Sequence, residues 1–346
     1  MRRDGRPVAE HVTDRRLTTT KVLSQEQRLQ KWARRSARPA ETSAGDLQAD
    51  AAAAMASHDD LVVVVGPAGT GKTHTTARAV ASLREQGRAV VGLAPSGKAA
   101  DVLARETGCE TQTLAAFLAR HNGLGRRDSL RLGTTIILDE AAMASIQDLA
   151  NLVALAEKRW WQIVAVGDPA QLPAVGRGGT FAHWCETLPH HRLDTPRRFH
   201  NQWEADASLA LRSGDPAAAA VYADHQRLHT THPALLARQI ALAHKRQVDG
   251  NRTVAITTTT AEMARTINQA IQARRGHTRS DWSAKLADGS HVYAGDQIAT
   301  RRNNPALTTD EGHQVRNRHT WTVQEVTHKG DLVVTDPDRG TVTLPT

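Results

Sequence analysis

The sequence predicts an α/β fold: a parallel sheet with helices on both faces, followed by a smaller β-rich segment. Three observations predict it. Short Val/Ile/Leu runs ("LVVVV", "AVVGLA", "TTIILDE", "WQIVAVGD") recur between helical stretches, as strands buried on both faces do. The first run leads directly into a glycine-rich loop and then a helix. From about Ser290 the texture changes to apolar/polar alternation between Gly and Asp turns.

In chain order, residues 1–45 read as a basic lead and linker. Residues 1–40 hold eleven Lys/Arg and four Asp/Glu, which is +7 of the formal +8 of the 346-residue chain. A polyanionic partner and a solvated tail account for that placement equally well. One helical piece is expected from Thr20 to Arg35, with Val22, Leu29 and Trp32 near one face, and "SARPAETSAGD" reads as a linker. Residues 46–190 carry the alternating strands and helices of one compact lobe. Over 191–285, "NQWEADASLALRSGDP" reads as a helix capped by Asn201 and stopped at Gly214. There, "NRTVAITTTTAEMARTINQAIQARR" reads as one strand and one helix, the start of a second α/β unit. In 286–346, "HVYAGDQIATRR", "HTWTVQEVTHKGDLVVTD" and "GTVTLPT" read as a small β-barrel. No run of eighteen apolar residues occurs and no signal-peptide core opens the chain, so a soluble, cytoplasmic protein without a membrane role is expected. With two cysteines, Cys109 and Cys185, neither a disulfide framework nor a cysteine zinc site is expected. The 17 histidines show no spaced ligand pattern and read as a solvated face.

Three stretches carry chemistry. "GPAGTGKT" places Gly66, Gly69, Gly71, Lys72 and Thr73 between an apolar strand and a helix. Glycines let backbone N–H groups turn toward phosphates, Lys72 supplies a point charge, and the Thr73 hydroxyl is a Mg²⁺ ligand, so ATP with Mg²⁺ is the expected occupant. "TTIILDEAAM" ends a strand in Asp139 and Glu140: the first can hold Mg²⁺ through water, the second can orient or deprotonate an attacking water. An acidic helix N-terminus reads equally from those two residues. "AVGDPAQLPAVGRGG" ends a strand at Gly167-Asp168-Pro169 with Gln171 on the following turn, within reach of a γ-phosphate or its attacking water.

"GPAGTGKT", "LAPSGKAADVLA", "TIILDEAAM" and "VGDPAQLPAVGRGG" stand in the order of motifs I, Ia, II and III of superfamily 1 DNA helicases. The set resembles the RecD-like branch, especially the helicase part of conjugative relaxases of the TraA/TrwC type. "LDTPRRFHNQWEADASLALRSGD" resembles motif IV and its helix, and "YAGDQIATRRNNPALTTDEGHQVRNRHTWTV" the β-rich insertion of that branch. The resemblance implies a P-loop NTPase of RecA-like fold, an incomplete second RecA-like lobe and an SH3-like insertion. It implies that Gln48, in "DLQADAAAAM", reads the adenine edge, and that Ser96, Lys98 and Thr113 meet the phosphates of single-stranded DNA. It implies that Arg198, with Arg197 as the one-residue alternative, crosses to the γ-phosphate as a catalytic group beside Lys72, Glu140 and Gln171. The family's motifs V and VI are not found before the chain stops at "DRGTVTLPT". A C-terminally truncated helicase with impaired unwinding is therefore the expectation, with a second chain supplying the rest as the alternative. A nucleotide- and DNA-binding module without turnover, and a small-molecule kinase, are the rival functions. Glu140 with Gln171 speaks against the kinase.

Overall fold

The computed structural model describes residues 19–39, 46–121, 130–196, 199–275 and 282–345. They form two compact units that divide at Val221/Tyr222. The segments expected from the sequence have their bounds at 45, 190 and 285.

In the first unit, helix α1 (Thr20–Ser36) starts at Thr19, whose hydroxyl accepts the Val22 N–H, and buries Val22, Leu29, Trp32 and Ala33 along one stripe. Helix α2 (Leu47–Met55) is capped by Asp46. Strand β1 (Leu61–Val65) and helix α3 (Lys72–Glu85) follow, then β2 (Val90–Ala94), α4 (Gly97–Thr107), β3 (Glu110–Thr113) and α5 (Leu114–His121). Next come β4 (Thr135–Leu138), α6 (Ile146–Arg159), β5 (Gln162–Gly167), α7 (Thr180–Thr187), β6 (His191–Arg192) and α8 (Gln202–Arg212). Helix α9 (Ala217–Asp224) contains the unit boundary.

The six strands make one sheet in the order β3-β2-β4-β5-β1-β6, and every pairing is parallel. Successive side chains on a strand point to opposite faces, and the two cores follow that alternation. Leu61, Val63 and Val65 join one core with Ile136, Leu138, Ile163 and Ala165, covered by α1, α5, α6 and α7. Val62 and Val64 join the other with Ile137, Val164 and Val166, covered by α2 and α3. Helix α1 is thus built into the first core, where Trp32 lies 6.2 Å from Trp184 between ring centroids. At the opposite end of the sheet from the glycine loop, Arg88 donates to Ala56 O, Ser57 O, Thr135 Oγ1 and Gln162 Oε1, satisfying groups at the starts of β4 and β5.

The second unit contains α10 (Pro233–Asp249) and α11 (Ala261–Gln272), then β7 (Ser283–Lys285), β8 (His291–Tyr293), β9 (Gln297–Ala299), β10 (Asn304–Thr308), β11 (Gln314–Val315), β12 (Thr320–Val326), β13 (Leu332–Asp336) and β14 (Gly340–Leu344). The strand expected over "VAIT" is not formed: residues 253–257 have no ladder partner, and Ile256 is exposed. A parallel strand needs neighbours to take up its N–H and C=O groups, and an apolar run alone does not supply them. The β-rich segment does form, as an antiparallel sheet β14-β13-β12-β9 with two-stranded pairs β10-β11 and β7-β8. Trp321, Val323, Val334 and Leu344 lie in its own core. Cys109 is buried and Cys185 half-buried, with burial pushing the Cys185 thiol up to about 12. Among the described residues no helix is long and apolar enough to cross a membrane.

Candidate nucleotide site

The site is built on the C-terminal ends of β1, β4 and β5, where a parallel sheet opens its crevice. Strand β5 lies between β1 and β4, so the glycine loop and the acidic pair are separated by the strand that carries Asp168 and Gln171.

The loop after β1 starts as a continuation of the ladder: the Gly66 N–H donates to Gly167 O at 3.1 Å. Gly69 and Gly71 have φ of 84° and 85°, a region L side chains rarely enter. At Gly71 a Cβ would also lie 2.4 Å from Gln48 Nε2. Gly71 is the N-cap of α3 and makes no side-chain cap bond, leaving the first-turn N–H groups directed at the loop mouth. Lys72 donates from Nζ to Gly66 O (2.7 Å) and Pro67 O (3.2 Å), two of its three donors. Thr73 is half-buried in the same first turn. Gln48 is buried, and its Nε2 donates to Thr70 O at 2.9 Å, which ties α2 to the loop.

Strand β4 ends at Leu138, and the Asp139 N–H still pairs with Leu93 O of β2. Asp139 Oδ1 accepts the Glu140 N–H at 2.9 Å. Burial holds the Asp139 carboxyl above the usual range, against the pull of that N–H and of Lys72. Glu140 is raised too, first by burial and then by the Asp139 and Asp168 charges, with Lys72 opposing. Its backbone is left-handed at φ 49°, and its Oε2 is buried with no hydrogen-bond partner among the described residues. A left-handed backbone carrying a buried carboxylate with an unpaired oxygen and a raised pKa makes Glu140 a candidate for chemistry.

At the end of β5, Asp168 is 2% exposed. Burial pushes its carboxyl up, but the Arg212 guanidinium, the Ala170 N–H and Lys72 outweigh that and hold it below the usual range. Gln171 donates its N–H to Asp168 O, and its side chain is half-buried. Leu172 and Val175 beyond it are exposed. Arg212 is a residue the sequence reading missed. It lies 44 positions from Asp168, and a basic residue in the last turn of a helix reads as ordinary dipole complementarity. Arg197 and Arg198 lie outside the described residues.

Ser96, Lys98 and Thr113 gather away from the glycine loop, toward the β3 edge of the sheet. Ser96 caps α4 by accepting the Ala99 N–H, and Thr113 accepts the Ala116 N–H at the start of α5. Because Ala94 pairs with Thr113, the two helix N-termini start side by side, with Lys98 in the first turn of α4. Adjacent helix N-termini with a lysine are suited to successive phosphates.

The residues around the loop fit a magnesium-bound nucleoside triphosphate. The glycines clear a cradle, Lys72 faces it with Asp139 and Glu140, and Glu140 keeps an oxygen unpaired. Among the described residues no group of three or more His, Cys, Asp or Glu could hold a metal. Mg²⁺ here would draw on Thr73, Asp139 through water, and the phosphates themselves.

Residues 43–233 match the AAA domain family. A probable conjugal transfer protein TraA of Sinorhizobium fredii is 32% identical over 301 residues, covering 84% of this chain and 27% of that protein. The RecD subunit of the RecBCD enzyme of Mycolicibacterium smegmatis is 34% identical over 212 residues, 51% of this chain and 37% of that one. The chain spans 27% and 26% of the length of two conjugal transfer relatives that it matches. A solved Pif1 helicase structure aligns over 88% of this chain and 76% of its own, with 15% identity and a TM-score of 0.54, a likeness of fold.

Proposed function

The chain belongs to the AAA domain family, as a RecD-like, superfamily 1 helicase-type P-loop ATPase related to TraA, and from that premise we propose that it hydrolyses ATP while holding single-stranded DNA. The observation that carries the reading is Glu140. It is a buried carboxylate with one unpaired oxygen, strained backbone and raised pKa, next to Asp139 and facing Lys72.

In this reading the α3 N-terminus and Lys72 hold the β- and γ-phosphates, and Gln48 borders the base while bracing the loop through Thr70. Mg²⁺, when bound, supplies charge neutralisation at the phosphate oxygens. Thr73, and Asp139 through water, would hold it. Glu140 takes the proton from the attacking water, and its raised pKa makes the carboxylate the stronger proton acceptor. Gln171 orients that water or contacts the γ-phosphate, and Arg198 adds positive charge there. Ser96, Lys98 and Thr113 hold the DNA strand by phosphate contacts, so little base preference is expected.

Phosphate release measured with and without oligo(dT), beside a Lys72→Ala control, tests the reading. Turnover above the control that rises with DNA is the expected result. Turnover equal to the control, with nucleotide and DNA still bound, would leave the binding-module reading in its place.

A further inference from the structure

Asp168 is a buried carboxylate in a site already crowded with negative charge, since Asp139 and Glu140 also lie there. It stays ionised because Arg212 grips it with a fork. Nε reaches Oδ1 at 3.2 Å and Oδ2 at 3.1 Å, and Nη2 reaches Oδ1 at 2.5 Å. Two-point pairing fixes the plane of the carboxylate as well as its charge. The plane matters because the same Oδ1 accepts the Ala170 N–H at 3.0 Å, closing the turn that launches Gln171. The Gln171 N–H closes the next ring onto Asp168 O at 3.1 Å. The other end of the fork is α8, which buries only Ala205 and Ala207 and so has little apolar surface to fix it.

We propose that Arg212 is a positioning residue for the Gln171 turn: through its fork on Asp168 it sets where the Gln171 side chain stands in the nucleotide site. The role rests on the ATPase reading above. Arg212 acts through Asp168, with no contact to the reacting atoms required. Loss of the guanidinium leaves a buried carboxylate beside Glu140 with no ion-pair partner and only the Lys72 charge to offset it, and the turn opens as the carboxylate seeks water or a proton.

The test uses the full chain with Arg212→Gln, Arg212→Lys and the neutral pair Asp168→Asn/Arg212→Gln, measured two ways. Amide hydrogen exchange at Ala170 and Gln171 reads the turn directly and requires no turnover. Arg212→Gln is expected to speed exchange there by about tenfold or more. Phosphate release reads the consequence: kcat should fall by about tenfold or more while nucleotide Kd stays within about threefold. Lysine keeps the charge but loses the fork, so Arg212→Lys should fall between wild type and Arg212→Gln in both measurements. The neutral pair should be no worse in kcat than Arg212→Gln alone, as expected when the two residues act as a unit. Unchanged exchange at Ala170 and Gln171 in a folded Arg212→Gln protein overturns the proposal. So does a kcat loss matched by an equal loss of nucleotide affinity. If Arg212→Gln does not fold, Arg212→Lys decides: wild-type exchange and wild-type kcat overturn it. If the wild type turns over no faster than Lys72→Ala, the ATPase reading fails, and the exchange arm still decides whether Arg212 holds the turn.

Discussion

Replacing Glu140 by glutamine removes one negative charge and one proton acceptor while keeping the side chain's size. In the proposed reading the charge has two roles of opposite sign. For chemistry, Glu140 would be the base, and general-base catalysis is worth about 10²–10⁴ in rate, or about 2.7–5.4 kcal/mol in the barrier. For stability, its carboxylate is a liability: burial and the Asp139 and Asp168 charges all disfavour it, and its Oε2 has no partner among the described residues. Glu140→Gln should therefore lower kcat for phosphate release by about 10²–10⁴ and leave nucleotide Kd within about threefold. It should leave Tm unchanged or higher, because a neutral amide in that place repels neither neighbour. The pH profile adds a signature. The base must be ionised to act, so activity is lost as pH falls through its raised pKa, and the acidic limb should lie above the ordinary glutamate value. The residual activity of Glu140→Gln should lack that limb. A kcat within about threefold of wild type would refute the assignment of Glu140 as base, whatever the stability did.

Three further outcomes are expected. Gly71→Ala puts a side chain at φ 85° and against Gln48 Nε2, so strain of about 1–2 kcal/mol should appear as a lower Tm and weaker nucleotide binding; wild-type Kd and Tm would remove the close-approach argument. Lys98→Ala should weaken binding to different oligonucleotide sequences alike, and reduce the slope of log K against log[salt] by about 0.7, one phosphate's share for single strands; an unchanged slope would take Lys98 off the DNA path. For acid stability the sign follows from Asp168, whose folded pKa is lowered. Its contribution is fully present above the unfolded-state pKa of about 3.9 and disappears as pH falls through the lower folded value. The Asp168 part of the stability difference between wild type and Asp168→Asn/Arg212→Gln should thus change only below about pH 4; a change at higher pH would report Glu140, whose raised pKa owes part of its shift to the Asp168 charge.

Much of the first unit is legible in the sequence because its strands are uniformly apolar and its helices amphipathic. The spacing of Val22, Leu29 and Trp32 locates α1, although nothing in it says that the helix packs onto the ATPase sheet beside Trp184. Strand β3 is not legible: "ETQT" at the sheet edge is half-exposed and has no apolar pattern. "VAIT" misleads in the other direction, because apolar β-branched residues state a preference and not a partner. For the site, the residue types after β1, β4 and β5 are readable from local motifs. The geometry that gives them meaning is not. The left-handed backbone of Glu140, the bond from Gln48 to Thr70 O and the fork from Arg212 to Asp168 all join groups through tertiary packing that no local period encodes.

The strand order has a consequence for how the protein is made. β1 and β4 are both synthesised before β5, yet β5 lies between them in the sheet. Until residues 162–167 have left the ribosome, the glycine loop has no Gly167 carbonyl to anchor its first N–H. Until then, too, the acidic pair has no fixed place relative to Lys72. A nascent chain halted before β5 would own most of the phosphate-binding residues and still lack a pocket. Closing the sheet by inserting a late strand into its middle is a long-range, slow type of step. The first nucleotide to bind would accordingly report that this step is finished, and its binding energy would hold the newly inserted strand in register.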